Sequence, residues 1–491
     1  MTPEAIANGL RDALNGRPAA ERIAFDPVRT ETYGYDASFA TRMQRHAPDV
    51  VVRASDVHEV STVAAWCWAH EVPFAPRGAA TAQSGGSVAV RGGVCLDLTP
   101  MRRIVEILPG DLQAICEPGV VHADLNDALG EHGLFFAPDP GSSKMCTIGG
   151  MIANNSSGMR AVKYGQTRHH VLGLEAVLAD GTVIETGGVG SRAIKTVSGF
   201  DLTSLLIGSE GTLAVVTKAR LRALPTPAKR GLCLAAFDDA HAAGSAVERV
   251  FRAGFLPSAI EFLDAHALAA IRTYDPAVAL PDAEALLLFE VEGGPAAVRE
   301  ETEAIEGVVR PYARTVRRAD EPGAMRDLWA ARRLVGAAVA RVREGYTRVY
   351  GGEDVCVPIT AIPETLTEIH ALGEKHGIHV AIYGHVGDGN LHAAPIIDMR
   401  DAAQVEAAKE LIEAIHDLAL RMHGTTTGEH GVGIVRSRYM RREHGAALET
   451  MRAVKRALDP KNLLNPGKMD LDPDDPRGPY DPPRPFAAKE G

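Results

Sequence analysis

Two histidines stand seven positions apart in Tyr383-Gly384-His385-Val386-Gly387-Asp388-Gly389-Asn390-Leu391-His392. In an unbroken strand an odd spacing sends side chains to opposite faces. Gly387-Asp388-Gly389-Asn390 is a turn sequence, however. The strand is expected to reverse there, and two imidazoles at the ends of a tight hairpin can then converge on one ion. A carboxylate and another imidazole follow in Gly428-Glu429-His430-Gly431-Val432-Gly433, a glycine-framed loop just after a long amphipathic helix. His385, His392 and Glu429 make an open three-ligand set, suited to a catalytic Zn2+ or Mn2+ with coordination positions left over. One histidine in a glycine-rich loop is more often a hydrogen-bonded surface group than a ligand. The metal reading therefore rests on the combination.

Three glycine-rich stretches carry a second kind of chemistry. The first is Pro76-Arg77-Gly78-Ala79-Ala80-Thr81-Ala82-Gln83-Ser84-Gly85-Gly86-Ser87. The second runs from Pro138-Asp139-Pro140-Gly141 through Thr147-Ile148-Gly149-Gly150 to Asn154-Asn155-Ser156-Ser157-Gly158, and the third is Gly208-Ser209-Glu210-Gly211-Thr212. Glycines let backbone N–H groups turn inward together and approach an anion closely, and Ser, Thr and Asn add donors. One such loop is usually only a turn; three, each dense in hydroxyls, point to an anionic ligand such as a pyrophosphate. No G-x-x-x-x-G-K-[ST] occurs, which excludes a P-loop protein. Gly188-Val189-Gly190-Ser191-Arg192-Ala193 matches G-x-G-x-x-A, but the strand before it belongs to a hairpin turning at Asp180-Gly181. Its context is antiparallel rather than βαβ, so it is read as a decoy.

The elements that must position these groups follow from periodicity. Val57–Ala69 has apolar residues at helical spacing, Phe74–Pro76 begins an extended segment, and Gly211–Leu224 reads as a strand leaving a tight turn. Pro225 and Pro227 mark a boundary, after which longer helices, one near Ala403–His423, alternate with strands such as His379–Tyr383. We divide the chain into 1–224, which carries the loops, 225–458, which carries the metal site, and 459–491, a C-terminal return and tail. With 491 residues, 45% of them hydrophobic, there is material for two or three cores. A formal net charge of -11 argues against nucleic acid as a partner. It leaves anionic substrates open, because a local arginine can serve them. No apolar run is long enough for a transmembrane segment, and Met1–Arg17 lacks the pattern of a secretory signal. Six scattered cysteines without a C-x-x-C pair read as reduced and mostly buried, the habit of a cytoplasmic protein, and give no iron–sulfur spacing.

The three loops, in this order and spacing, resemble the FAD-binding domain of vanillyl-alcohol-oxidase-type flavoproteins. With the histidine stretches added, the chain is similar to the branch holding D-lactate dehydrogenases, glycolate oxidase flavin subunits and D-2-hydroxyglutarate dehydrogenases, over roughly Tyr33 to Met469. The resemblance implies an α+β architecture: a two-part FAD-binding domain plus an α+β substrate-binding cap. It implies that Pro76, Arg77, Gly78, Ala79, Ala80, Thr81, Gln83, Ser84 and Gly85 wrap the pyrophosphate. Pro138, Asp139, Thr147, Gly149, Gly150, Asn154, Ser157 and Gly158, with Glu210, Gly211 and Asn465, would complete the pocket. Some relatives tether flavin through a histidine of the first loop; here that loop has neither His nor Cys, so the FAD is expected to be non-covalent.

The resemblance further implies that a divalent ion held by His385, His392 and Glu429 takes the substrate hydroxyl and one carboxylate oxygen. His430 would be the general base, Asn390 would complete or orient the metal shell beside the substrate, and hydride would pass from Cα to flavin N5. A W-x-x-R arginine grips the substrate carboxylate in such relatives, and Arg332 matches it in Asp327-Leu328-Trp329-Ala330-Ala331-Arg332-Arg333. Relatives acting on 2-hydroxyglutarate use a further lysine, and none lies between Lys229 and Lys375; Gly351 and Gly352 stand where it is expected, with Arg348 nearby. D-lactate or a similar monocarboxylate is therefore the expected substrate, with glycolate and D-2-hydroxyglutarate as alternatives. A flavin relay subunit without its own chemistry would be expected to lack Arg332 or His430. Phenol-oxidising flavoproteins and ether-phospholipid synthases of the same fold generally lack the histidine pattern. The electron acceptor is left open among a quinone, a cytochrome, an electron-transfer flavoprotein and an iron–sulfur subunit. The expected location is the cytoplasm, with peripheral contact at the inner membrane surface left open.

Overall fold

The computed structural model describes residues 1–342, 344–349 and 353–473. These form two compact units. Among the described residues, one comprises Met1–Ser157, Gln166–Thr226 and 429–473; the other comprises Gly158–Gly165 and Pro227–Gly428. Where the sequence suggests contiguous blocks, with the return at Asp459, the chain already crosses back at Glu429. The reason lies in bonds internal to the first unit: Ile434 N–H donates to the Ser84 carbonyl at 2.9 Å, and the Val432 and Gly433 amides donate to Glu210. Gly351 and Gly352, and the tail beyond 473, lie outside the described residues.

The first unit contains two larger sheets. In one, Val50–Arg53 and Phe74–Arg77 both run parallel to Val94–Asp97. Parallel strands need a crossover, and Val57–His70 supplies it as a helix. Asp56 starts that helix by accepting the Glu59 N–H, and it stops at Glu71 with φ 54°. Val60, Val63, Ala64 and Cys67 of the helix pack with Val50, Val52, Phe74 and Leu96 in one core. The carboxyl end of Phe74–Arg77 feeds the first glycine loop, the end at which open parallel sheets bind ligands. The return segment docks alongside, with Leu464 bridging Phe74 in parallel. The other sheet is antiparallel, ordered Ile104–Leu108, Gln113–Cys116, Val215–Arg222, Val171–Val177, Val183–Glu185. Val171–Val177 and Val183–Glu185 are the expected hairpin, so Gly188–Ala193 has no βαβ context.

The second unit is built on one long sheet. Its path is Thr315–Ala319, Lys229–Phe237, Ala285–Gly293, Ala259–Asp264, His379–Gly384, Asn390–Asp398, Tyr346–Arg348, with Glu353–Cys356 also pairing Asn390–Asp398. Its central strands are almost continuously apolar because both faces are covered. Leu232, Leu234, Leu263 and Leu286 face the helices Ala265–Tyr274 and Pro322–Val339. The alternate residues are buried as well, among them Phe237, Phe262 and Phe289.

Candidate active site

In the first unit the three glycine stretches meet one another. A Cβ on Gly78 would fall 2.5 Å from Thr147 Oγ1, and one on Gly211 would fall 2.6 Å from Pro76 Cγ. Only hydrogen fits at these close approaches. Thr147 starts the short helix Ile148–Asn154 by accepting the Gly150 N–H at 3.3 Å. Asn465 donates to the carbonyls of Gly86 at 2.9 Å and Glu210 at 2.7 Å, tying the first loop to the third. Four side-chain oxygens here, Gln83 Oε1, Ser84 Oγ, Ser87 Oγ and Asn465 Oδ1, are buried without a hydrogen-bond partner. Buried polar atoms are rarely left so. Two hydroxyls that can donate and two amide oxygens that accept suit the phosphates and hydroxyls of a dinucleotide, so the residues fit FAD.

Two residues assigned to the cofactor direct their side chains elsewhere. Arg77 donates to the carbonyls of Tyr33 at 3.2 Å and Tyr35 at 2.8 Å. Its guanidinium braces the loop, leaving its backbone for a ligand. Glu210 accepts the Val432 N–H at 2.6 Å and the Gly433 N–H at 2.7 Å. Burial raises its carboxyl to about 7 against the pull of those two amides and of Lys468. Glu210 therefore anchors the loop that bears Glu429 and His430. On that loop Glu429 lies 3.7 Å from the His430 ring and 3.4 Å from Ser157 Oγ, and Asn154 donates to the His430 carbonyl at 3.3 Å.

In the second unit the predicted reversal is present: Tyr383 pairs His392 across an antiparallel hairpin. Gly389 makes the turn with φ 86°, and a Cβ there would lie 1.9 Å from the Val357 carbonyl oxygen. The His385 and His392 rings stand edge to face, 5.2 Å apart. His385 Nδ1 is 2.7 Å from Glu261 Oε1, and Glu261 also bonds Arg332 Nε through Oε2. Glu261 is fully buried. Burial alone would raise its carboxyl, but the Arg332 and His385 charges outweigh it and hold Glu261 below the ordinary value. Arg332 follows Trp329 by three positions on the same helix, is half-buried, and its guanidinium carbon is 5.8 Å from the Tyr383 ring centre. Arg333 is exposed. Arg348 bonds the Tyr383 hydroxyl.

Asp354 is the residue that sequence reasoning passed over. Two residues, Asp354 and its neighbour, oppose one on the partner strand, where the register shifts between Glu353 and Val355. This is a β-bulge, which re-aims a side chain; Asp354 sits there at φ 113° and is fully buried. It offers a carboxylate oxygen within 4.8 Å of a His392 ring nitrogen. Asn390, expected to complete or orient the metal shell beside the substrate, donates to Asp354 Oδ1 at 2.9 Å and the Val355 carbonyl at 3.2 Å. It thereby orients Asp354. Thr427 Oγ1 donates to the other Asp354 oxygen at 2.5 Å. Asp354 and His392 are fitting donors for a borderline divalent ion. Nothing local in the sequence announces a bulge. Glu261 did leave a signal, a lone carboxylate in the apolar run Ala259-Ile260-Glu261-Phe262-Leu263.

A parallel sheet ending in a glycine cradle, an antiparallel partner sheet and a separate α+β unit are the parts of an FAD-linked flavoprotein. Residues 48–187 match the FAD binding domain family, and residues 226–469 match the C-terminal domain of FAD linked oxidases. The glycolate oxidase subunit GlcD of Bacillus subtilis is 38% identical over 440 residues, 89% of this chain and 91% of that one. The D-lactate dehydrogenase of Archaeoglobus fulgidus is 35% identical over 446 residues, 90% and 96%. The chain belongs to this family of FAD-linked, D-lactate dehydrogenase-like oxidoreductases. The fold likeness extends to p-cresol methylhydroxylase, with a TM-score of 0.77 at 18% identity over 95% of this chain and 96% of that one. No helix among the described residues is long and apolar enough to cross a membrane.

Proposed function

We propose that the chain oxidises a small D-2-hydroxy acid, D-lactate or a similar monocarboxylate, to its 2-oxo acid with the help of a divalent metal. The observation that carries this reading is Glu261, one fully buried carboxylate bonded to both His385 and Arg332. It sets an imidazole ligand and a carboxylate-binding guanidinium side by side. Beside a carboxylate, His385 Nδ1 carries the proton, so Nε2 presents its lone pair to a metal. His385, His392 and Glu429 would hold the ion, with Asp354 a further fitting donor. A bound Zn2+ or Mn2+ would supply positive charge beside the substrate hydroxyl, and non-covalent FAD would supply the hydride acceptor. With its Nε bonded to Glu261, Arg332 keeps its Nη edge for a bidentate grip on the substrate carboxylate. His430 accepts the hydroxyl proton as the C–H hydride departs, so the alcohol loses two electrons and two hydrogens in all. The residues of the three glycine stretches, with Asn465, would bind the cofactor through backbone N–H groups and through the unpaired side-chain oxygens of Gln83, Ser84, Ser87 and Asn465.

A second reading, a dicarboxylate such as D-2-hydroxyglutarate, is favoured by one observation: Arg348 and Arg332 both approach Tyr383. Two guanidinium groups on one ring could serve two carboxylates. The acceptor remains one of the four classes named above, and a cytoplasmic setting agrees with six unpaired thiols. The test is kcat/KM on D-lactate, glycolate and D-2-hydroxyglutarate with an artificial acceptor. D-lactate is expected to lead; a large preference for the dicarboxylate replaces the first reading with the second.

A further inference from the structure

A second constellation of ligand atoms lies within the second unit. Asp264 closes the strand Ala259–Asp264 and starts the helix Ala265–Tyr274, with Oδ1 accepting the Ala267 N–H at 2.8 Å. Its Oδ2 accepts the Ile382 N–H at 2.8 Å and stands 3.3 Å from His370 Nε2. That separation is longer than a charge-assisted hydrogen bond of about 2.7–2.9 Å. It matches the roughly 3.3–3.5 Å between neighbouring ligands set tetrahedrally at Zn2+ bond lengths. His266 Nδ1 lies 2.7 Å from the Val380 carbonyl oxygen. A carbonyl only accepts, so Nδ1 carries the proton and Nε2 is left as a Lewis base. Ligating histidines are commonly fixed in this way.

One atom each of Asp264, His266 and His370 lies within 4.8 Å of the other two. The His266 ring is edge-on to His370 and to His379, with centres 5.4 Å apart in each case. Asp264 is fully buried, and a bound cation would offset the cost of burying its carboxylate. His266, His370 and His379 line a cleft of about 310 Å³ that gives an ion a way in. Asp264 and Glu261 are three apart on one strand and so point to opposite faces, which separates this cluster from the Arg332–His385 group.

We propose that Asp264, His266 and His370 bind one Zn2+ ion, with a fourth position open to the cleft beside His379. The ion would link three elements, the end of Ala259–Asp264, the helix Ala265–Tyr274 and the helix Ile362–His376. Binding to the folded state alone then stabilises it by mass action.

The test uses the full-length flavoprotein, stripped with chelator, equilibrated with Zn2+ and assayed for metal per chain. His266→Gln and His370→Gln are each expected to hold one Zn2+ fewer than wild type. Both should gain less in Tm from Zn2+ and keep wild-type flavin reduction by D-lactate. Equal metal content in wild type and both variants overturns the proposal. A reading without variants comes from wild-type crystals soaked in Zn2+. An anomalous peak among Asp264, His266 and His370 is expected, and a map without one there contradicts it.

Discussion

Glu261 shows how much one buried side chain can decide. A carboxylate sealed from water is costly unless it is paired, and its two oxygens each hold a group the proposed chemistry uses. Glu261→Gln keeps the shape but offers a single acceptor oxygen, so one of the two bonds is lost. Groups that orient metal-ligating histidines contribute about 10–100-fold to metal affinity. We expect Glu261→Gln to weaken metal binding by that order and to lower kcat/KM alongside, with Glu261→Asp restoring part of both. Unchanged metal affinity in a folded Glu261→Gln protein would reduce Glu261 to packing. Arg332→Lys replaces a planar fork with a point charge. The loss of a charged hydrogen bond of about 1.5–3 kcal/mol predicts a fall in kcat/KM of roughly 10–150-fold. Most of the fall should appear in KM for the acid, and flavin content should not change. An unaltered KM would remove Arg332 from the substrate.

At the scale of elements, loops do the positioning and strands hold the loops. The first glycine loop is braced by Arg77 and Asn465 and lies against Thr147 at Gly78. A methyl at Gly78 would press on Thr147 Oγ1, and overpacking of this kind costs about 1–3 kcal/mol. Gly78→Ala should leave protein that folds but retains less flavin, read as the 450 nm absorbance per chain. Full flavin content would show that the two stretches are not locked together.

Much of this scale was legible in advance. Helical spacing fixed Val57–His70, the Asp-Gly pair fixed the hairpin before Gly188, and Gly387–Asn390 fixed the reversal between the histidines. All three are local signals, written in consecutive residues. What escaped was non-local. The bulge at Asp354 depends on its partner strand, Asn390 turns inward because Asp354 is there, and Glu210 reaches a loop more than two hundred positions away. The early crossing at Glu429 escaped for the same reason, since its anchors lie far off in sequence.

In the whole molecule, the proposed chemistry draws on two different parts of the chain. In the proposed reading one part carries the FAD cradle with Glu429 and His430, and the other carries Arg332, His385, His392 and Asp354. Membership of the FAD-linked family carries the flavin, and in the proposed chemistry a bound metal would polarise the hydroxyl of the acid. The most direct measurement is anaerobic reduction of the bound flavin by D-lactate, followed at 450 nm before chelation, after chelation, and after Zn2+ or Mn2+ is returned. Metal assistance is expected to give prompt bleaching of the untreated protein, loss of bleaching with the flavin still bound after chelation, and recovery with the metal. Bleaching at the same rate in all three states would contradict metal assistance.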